Sequence, residues 1–235
     1  MIQHPYEFLT NTSMWIIIFT SLTLAFYSFY EWKAKRNYLF VYAHLVFLLI
    51  PLVLFANGVN CSMSIINGLL ALCGLAISKF LIYVSPLIIF STFAAGYFIV
   101  PLIYVKRFAK KEIKNKTVSQ FNKIYATKVK MFVIDDSHPI AFTIAKNIFV
   151  SVGMFEILSS KETEAVILHE LGHIKHKTSL NRLSAGIMRF ASPLSYFGLS
   201  DYCKDCDEKE ADEFAISVQK TKQHLSKARK KVRKY

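Results

Sequence analysis

The sequence predicts two parts, an α-helical membrane half followed by a water-facing α+β domain, and two observations support this prediction. Charged residues are divided unevenly, since four of the 29 Lys and Arg and two of the 16 Asp and Glu precede residue 106. The first half also contains long uncharged apolar runs, whereas the second half mixes strand-like and helix-like patterns. We therefore predict a transmembrane region at 1–105, a soluble domain at 106–218 and a basic tail at 219–235.

Three apolar runs are long enough to cross a bilayer as helices. They cover residues 14–30, 38–56 and 80–105, carry no charge, and approach or exceed the roughly 20 residues that span the hydrocarbon core. Basic clusters follow the first and the last run, and short basic loops stay on the cytoplasmic side of a membrane. Three spans with the N-terminus outside put both clusters inside. We therefore expect a multi-pass protein of the cell membrane whose second half faces the cytoplasm, with 62–78 an interfacial or re-entrant helix or, alternatively, an extra span.

The net charge of +13 does not predict nucleic-acid binding, because the excess flanks the spans and fills the C-terminal tail. Basic residues there are explained by orientation and by anionic lipid headgroups. The lipid bilayer is thus an expected partner, nucleic acid is not, and the oligomeric state stays open. Cys203 and Cys206 fall in the half placed in the reducing cytoplasm, so no structural disulfide is expected there.

The second half divides into short strand-like runs and four helical segments. Its elements are a polar helix over 106–130, strands at 131–135, 141–144 and 147–152, a helix from Ser159, an apolar segment at 180–200, and a last helix from about Asp205. Ser159 and Glu162 form a capping-box pattern at the start of the long helix. That helix contains the sequence HELGHIKH at 169–176, so its histidines lie at helical spacing.

Helical geometry separates these histidines. His169 and His173 are about 40° and one turn apart, so both rings can reach one ion, whereas His176 stands about 10.5 Å beyond His169 along the axis. Zinc takes imidazole nitrogens in tetrahedral geometry. Glu170 lies between the pair, where its carboxylate can reach a water in an open coordination position. This is the arrangement in which a glutamate deprotonates a metal-bound water that attacks a peptide carbonyl.

A third ligand is available 35 residues after His173. Glu208 and Asp212 lie one turn apart on the predicted last helix. Glu208 can complete a set of three protein ligands, and Asp212 can accept the second ring N–H of a ligating histidine, which fixes the tautomer of that ring. The sequence therefore predicts one Zn²⁺ per chain, and no other cofactor.

A rival metal site has to be weighed against this one. The pairs His173/His176 and Cys203/Cys206 together offer two nitrogens and two thiolates, the donor set of a closed structural zinc site. Such a site would make the protein a non-catalytic zinc-binding membrane module. It would also leave four residues without a role: His169, Glu170, Glu208 and Asp212.

The residues also resemble a known family. The segments EAVILHELGHIKHK and EKEADEFA, with AFTIAKNIFVSVGMFEIL upstream, are similar to those of the integral-membrane gluzincin metallopeptidases of the HtpX and CAAX-prenyl endopeptidase group. The resemblance implies a domain with a motif helix, a small antiparallel sheet and a glutamate helix. It implies zinc ligands His169, His173 and Glu208, a general base Glu170, and Asp212 as the partner of a ligating ring. It also implies that a substrate strand adds to the segment containing Ala141, Phe142 and Thr143.

The short connection between the two motifs, and three spans before them, resemble the beta-lactam-sensing antirepressor peptidases more closely. We accordingly predict a membrane-bound zinc metalloendopeptidase that hydrolyses peptide bonds of membrane or membrane-proximal proteins by attack of zinc-bound water. The alternatives are a sensor-type peptidase that cleaves one dedicated partner and the non-catalytic module. The residue that stabilises the oxyanion stays open among four candidates: His176, Tyr196, Tyr202 and His224.

Overall fold

The chain divides into two compact units in the computed structural model. The structure describes residues 11–58, 87, 91, 94–197 and 202–235. One unit comprises residues 1–93 and 184–201, and the other comprises residues 94–183 and 202–235. The predicted helix at 62–78 lies outside the described residues, as do residues 80–86, 88–90, 92 and 93 of the predicted span at 80–105.

The first unit contains a pair of apolar helices, α1 (Thr12–Lys35) and α2 (Tyr38–Gly58). They overlap the predicted spans at 14–30 and 38–56. The Asn11 side chain caps α1 by accepting from the backbone N–H of Ser13 at 3.1 Å. Among the described helices, α1 is the one with the length and composition to cross a membrane, and α2 contains a shorter apolar stretch, Tyr38–Leu54.

A fully buried histidine joins α2 to two other segments of this unit. His44 Nδ1 lies 2.8 Å from the carbonyl oxygen of Ala25, and its Nε2 lies 2.8 Å from Ser192 Oγ. Both ring nitrogens are therefore occupied by neutral partners, as expected for a polar group that packs helices together.

The second unit is a four-stranded sheet covered by helices. After a π-helical turn (Ala95–Ile99), its first half contains α3 (Val100–Phe108), β1 (Ala109–Glu112), α4 (Lys116–Tyr125), β2 (Lys130–Ile134), β3 (Ala141–Ile144) and β4 (Asn147–Ser151). The helices α5 (Val152–Ile157), α6 (Ser160–Lys175), α7 (Thr178–Ala191), α8 (Lys204–Gln219) and α9 (Gln223–Val232) follow. Helix α7 continues into the first unit, and the 3₁₀ turn after it (Pro193–Phe197) lies in that unit. The polar helix predicted over 106–130 is wrong as one element, because β1 interrupts it.

The sheet is mixed, so the prediction of an antiparallel sheet is wrong for one of its three pairings. The strand order is β1-β2-β4-β3, and β4 runs parallel to β2 while the other two pairs are antiparallel. After β2 the chain skips the neighbouring position in the sheet and forms β3 one position further out. It then returns through a tight turn at Ala145, whose φ is 53°. β4 fills the gap, which places the most buried strand in the interior of the sheet.

Strand β4 is buried on both faces. Ile148 and Val150 pack into the main core with the motif helix α6, while Phe149 packs on the opposite face against Phe132 and Phe142. All three β4 side chains are fully inaccessible to solvent. A central strand of this kind anchors α6 below it and leaves β3 as the edge strand beside α6.

The motif helix α6 begins as predicted. The capping box of Ser159 and Glu162 is present, and the Glu162 carboxylate accepts from the Ser159 N–H at 2.8 Å. Glu162 also accepts a hydrogen bond from Lys231 Nζ of α9 at 2.7 Å. The segment treated from sequence as a basic tail thus forms a helix, and its Leu225 and Ala228 are part of the main core.

Helices α6 and α8 are in close backbone contact at Gly172. A Cβ atom added at Gly172 would lie 2.8 Å from Ala211 Cα and 3.0 Å from the Ala211 carbonyl oxygen. Real Cβ atoms do not approach backbone this closely, so the missing side chain is what lets the two helices meet.

We expect Gly172→Ala to push α6 away from α8 and to weaken zinc binding, with an overpacking cost of about 1–3 kcal/mol in unfolding free energy. The matched control is Gly186→Ala, because Gly186 is also helical but a Cβ added there would meet no atom within 4 Å. That control should be neutral or stabilising by about 0.5–1 kcal/mol. Thermal unfolding and zinc titration of the detergent-purified variants measure both effects, and equal behaviour of the two variants would contradict this account of the helix crossing.

The contacts of Glu162 make one contribution to stability dependent on pH. The hydrogen bond from Lys231, and next that from the Ser159 N–H, lower the pKa of Glu162 from 4.5 to about 2. Since the folded-state pKa is the lower one, this contribution is present above the unfolded-state pKa and is lost as pH falls from about 4.5 towards 2. We expect Glu162→Gln to lower the unfolding temperature at pH 7 and to match wild type increasingly as pH falls to 3. Glu164→Gln, at an exposed position of the same helix, should show no such convergence.

Candidate metal centre

Two helices bring the predicted zinc ligands together. His169 and His173 project from α6 with side chains only 11% and 10% exposed, and Glu208 projects from α8. Glu208 Oε2 lies 3.3 Å from His169 Nε2, and Glu208 Oε1 lies 3.6 Å from His173 Nε2. The three ligand atoms lie within 4.8 Å of one another, so one ion can be bound by all three. Within the described part of the chain, these three residues form the one cluster of at least three His, Cys, Asp or Glu side chains that could hold a metal ion.

The residue chemistry of this group fits zinc. Two imidazoles and one carboxylate leave a fourth tetrahedral position open, as in catalytic zinc sites. Burial, followed by the neighbouring His169, lowers the pKa of His173 to about 4. Burial acts to raise the pKa of Glu208, but the hydrogen bond from Arg182 and the adjacent histidines lower it below its usual value. At neutral pH both groups are therefore in the protonation state that a metal ligand requires.

Asp212 contacts the rear of one ligand ring. Asp212 Oδ1 lies 2.8 Å from His169 Nδ1. Arg229 of α9 binds both oxygens of Asp212, at 2.6 and 2.5 Å. His173 Nδ1 is buried and has no hydrogen-bond partner among the described residues. The carboxylate of Asp212 is thus fixed by a bidentate pair and acts on one of the two rings.

Glu170 is buried beside the ligand pair and is bonded to the edge strand. Thr143 Oγ1 of β3 donates to Glu170 Oε2 at 2.7 Å. Burial raises the pKa of Glu170, and the hydrogen bond from Thr143 opposes this rise. A carboxylate with a raised pKa is a better proton acceptor than a solvated one, which is the property that a general base needs.

The edge strand β3 contains the three residues predicted to bind a substrate strand. Ala141 lines a pocket next to His169, Phe142 stacks on Phe149 at 5.0 Å between ring centroids, and Thr143 holds Glu170. Strand addition at this edge stays a prediction. The structure does assign Thr143 a contact that the sequence did not predict.

Two arginines around the carboxylates were not predicted from the sequence. Arg182 of α7 donates from Nε to Asp207 at 3.0 Å and from Nη2 to Glu208 at 2.9 Å. Asp207 is 1% exposed and also accepts from the Tyr202 hydroxyl at 2.9 Å. The signal available in the sequence was a charged residue in the apolar segment 180–200. For Arg229 there was no signal, because it lies among many basic residues.

The prediction of no disulfide at Cys203 and Cys206 is wrong, since the two sulfur atoms are bonded in the structure. Cys203 is the N-cap of α8, and the helical start brings Cys206 back to it, with Cα atoms 5.3 Å apart. That separation lies within the range of ordinary disulfides. The rival zinc set of His173/His176 and Cys203/Cys206 is not assembled, because the thiolates are consumed and His173 faces Glu208.

The structure favours none of the four candidates for oxyanion stabilisation. His176 Nδ1 lies 3.5 Å from Glu210 Oε2, and the Tyr202 hydroxyl is bonded to Asp207. His224 is the second residue of α9, and the side chain of Tyr196 lies outside the described residues. None of these four is placed against the ligand cluster by a described contact.

Comparison with known proteins matches the second half of the chain to one family. The profile of peptidase family M48 matches residues 106–227. Curated relatives include the protease HtpX homolog of Burkholderia thailandensis, 28% identical over 109 residues, which cover 40% of this chain and 38% of that protein. Protease HtpX homolog 1 of Sulfurisphaera tokodaii is 36% identical over 64 residues, or 25% of this chain and 21% of that protein.

The protease HtpX homolog of Thermodesulfovibrio yellowstonii is 38% identical over 72 residues, which cover 28% of this chain and 25% of that protein. The chain therefore matches well under half the length of these relatives. The family profile covers β1 to β4, both metal-site helices and the start of α9.

We expect Asp212→Ala to lower zinc affinity by about 10- to 100-fold, because a carboxylate that contacts a ligating ring orients it and raises its basicity. Glu213→Ala is the matched control, since Glu213 is exposed on the same helix. Competition with a chromogenic chelator measures the affinity of each variant. Equal affinities for the two variants would show that Asp212 does not support the ligand.

Proposed function

The chain belongs to peptidase family M48, and from that premise we propose that it is a membrane-bound zinc metalloendopeptidase that hydrolyses peptide bonds of membrane or membrane-proximal proteins. Its recognition as an HtpX-type metallopeptidase is confirmed by the family match and by the names of its relatives. The substrates, the zinc and the membrane topology belong to the proposal. The observation that supports it most directly is the convergence of His169, His173 and Glu208 beside the buried Glu170.

In the proposed enzyme His169, His173 and Glu208 hold one zinc ion. Bound there, zinc would polarise the peptide carbonyl and make water acidic enough to be deprotonated near neutral pH. The two helices that present these ligands are fixed to each other at Gly172, so the protein, rather than the ion, sets their spacing. Arg182 Nη2 donates to Glu208 Oε1, the same oxygen that lies 3.6 Å from His173 Nε2, and its charge compensates that of the carboxylate.

Glu170 is proposed to accept the proton of the attacking water and to deliver it to the leaving amine. Its Oε2 is held by the Thr143 hydroxyl, so one carboxylate oxygen is fixed while the other can reach into the site. A purely structural zinc module would not require a buried glutamate beside its ligands. The burial of Glu170, together with the contact between His173 and Glu208, favours a peptidase over that alternative.

We propose a multi-pass arrangement in the cell membrane, with the N-terminus outside and the peptidase domain in the cytoplasm. The apolar helix α1 supports it, as do the basic residues at its end, Lys33, Lys35 and Arg36. The lipid bilayer and a protein or peptide substrate are the proposed partners. Antirepressor-like regulation of one dedicated partner remains an alternative, based on the short connection between the two motifs.

Glu170→Gln should retain zinc and lose peptide cleavage by about 100- to 10,000-fold, because only the proton acceptor is removed. Glu208→Ala should lose both zinc and cleavage. Glu164→Gln, which changes an exposed glutamate of the same helix, should keep both. Zinc content and cleavage of casein by the detergent-purified full chain measure these outcomes. The proposal is wrong if Glu170→Gln, with zinc bound, cleaves as fast as wild type.

A further inference from the structure

A pocket of about 400 Å³ opens next to the proposed base and one proposed ligand. His169 and Glu170 form part of its wall. The remaining lining is mostly aliphatic and comes from the loop before β3, from β3 itself, and from helices α5, α6 and α9: Pro139, Ile140, Ala141, Met154, Val166, Leu225, Ala228, Arg229, Val232 and Arg233. A chain lying along β3 could place one side chain in this pocket.

Helix α9 and the residue that follows it form the outer wall of the pocket. This wall has an apolar part, made by Leu225, Ala228 and Val232, and a cationic part, made by Arg229 and Arg233. Arg229 donates to Asp212 from both of its terminal nitrogens, Nη1 and Nη2. Arg233, one helical turn further on, is exposed, and no acidic partner is found for it among the described residues. The charge of Arg233 is therefore available to a ligand.

A second pocket, of about 210 Å³, adjoins the first and shares Leu225, Arg229 and Arg233 with it. Its lining contains four cationic side chains and one acidic one: Lys222, Arg229, Lys230, Arg233 and Asp212. Since Asp212 is already paired with Arg229, the cations left over are those of Lys222, Lys230 and Arg233. The two pockets thus form an apolar cavity followed by a positively charged one.

We propose that these two pockets form one substrate subsite that accepts an apolar side chain next to the metal centre and an acidic side chain at a neighbouring position, with Arg233 as the residue that selects the acidic one. The proposal rests on the proposed peptidase function and deepens it by naming the substrate class. The apolar cavity removes an aliphatic or aromatic side chain from water, which favours binding. The basic pocket distinguishes Glu from Lys by charge.

The electrostatic part of this preference should be modest and sensitive to salt, because Arg233 is exposed to solvent. We expect about a three- to tenfold higher kcat/KM for a peptide with Glu than for one with Lys beside the same apolar residue. Raising the ionic strength to about 1 M, where the Debye length falls to about 3 Å, should reduce this ratio towards one.

The experiment compares matched peptides on the zinc-loaded full chain in detergent. Each peptide contains one Leu or Phe, with Glu, Gln or Lys placed in turn at the positions on either side. Arg233→Glu should reverse the Glu-over-Lys ratio. Lys234→Glu is the matched control, since it makes the same change of charge at the next residue, which does not line either pocket. Equal changes in the ratio for the two variants, or cleavage without a preference for Glu, would overturn the proposal.

Binding separates this proposal from the peptidase function itself. Anisotropy of the same peptides, labelled with a fluorophore, is measured on zinc-loaded Glu170→Gln with and without the Arg233→Glu change. Tighter binding of the Glu peptide, reversed by Arg233→Glu, supports the subsite even if wild type cleaves no peptide. Equal affinity for the Glu and Lys peptides overturns the subsite, including when wild type is an active peptidase.

Discussion

The contact between Gly172 and Ala211 is the constraint on which the metal centre depends. His169 and His173 lie on one helix and Glu208 on another, and zinc–ligand distances tolerate only a few tenths of an ångström. The two helices must therefore be held at one fixed separation. Because Gly172 has no side chain, the backbone of α8 can approach α6 at the level of the ligands. The sheet and the capping box then hold α6 in place from its other side and its start.

The second constraint is the mutual repulsion of the carboxylates around the metal centre. Asp207, Glu208 and Asp212 lie on successive parts of α8, and without cations they would repel one another in a partly buried place. Arg182 spans the first two, and Arg229 binds the third with both nitrogens. The arginines come from α7 and α9, the helices before and after α8 in the chain, so neighbouring helices fix the acidic face.

Local patterns predicted much of this arrangement. The start of α6 at Ser159 follows from a capping box, and the convergence of His169 and His173 follows from helical periodicity alone. The position of β4 between β2 and β3 depended instead on long-range burial of an apolar strand, and local alternation contains no information on strand order. Arg182 and Arg229 were missed for a related reason, since an ion pair between two separate helices leaves no periodic pattern in the sequence. The disulfide was missed because the compartment, rather than the spacing of Cys203 and Cys206, was used to judge it.

The hydrogen bond from Thr143 to Glu170 has a consequence for the choice of scissile bond. It holds Thr143 of β3 against the Glu170 carboxylate. Each residue of β3 therefore lies at a set distance from the proposed base. Side chains and backbone groups of a strand alternate with a period of two residues. For a peptide that pairs with β3, a slip of one residue reverses the direction of its backbone groups, and a half-turn of the peptide about its own axis restores it. A free substrate can make that turn between binding events, so its side chains, rather than the strand pairing, would select the scissile bond.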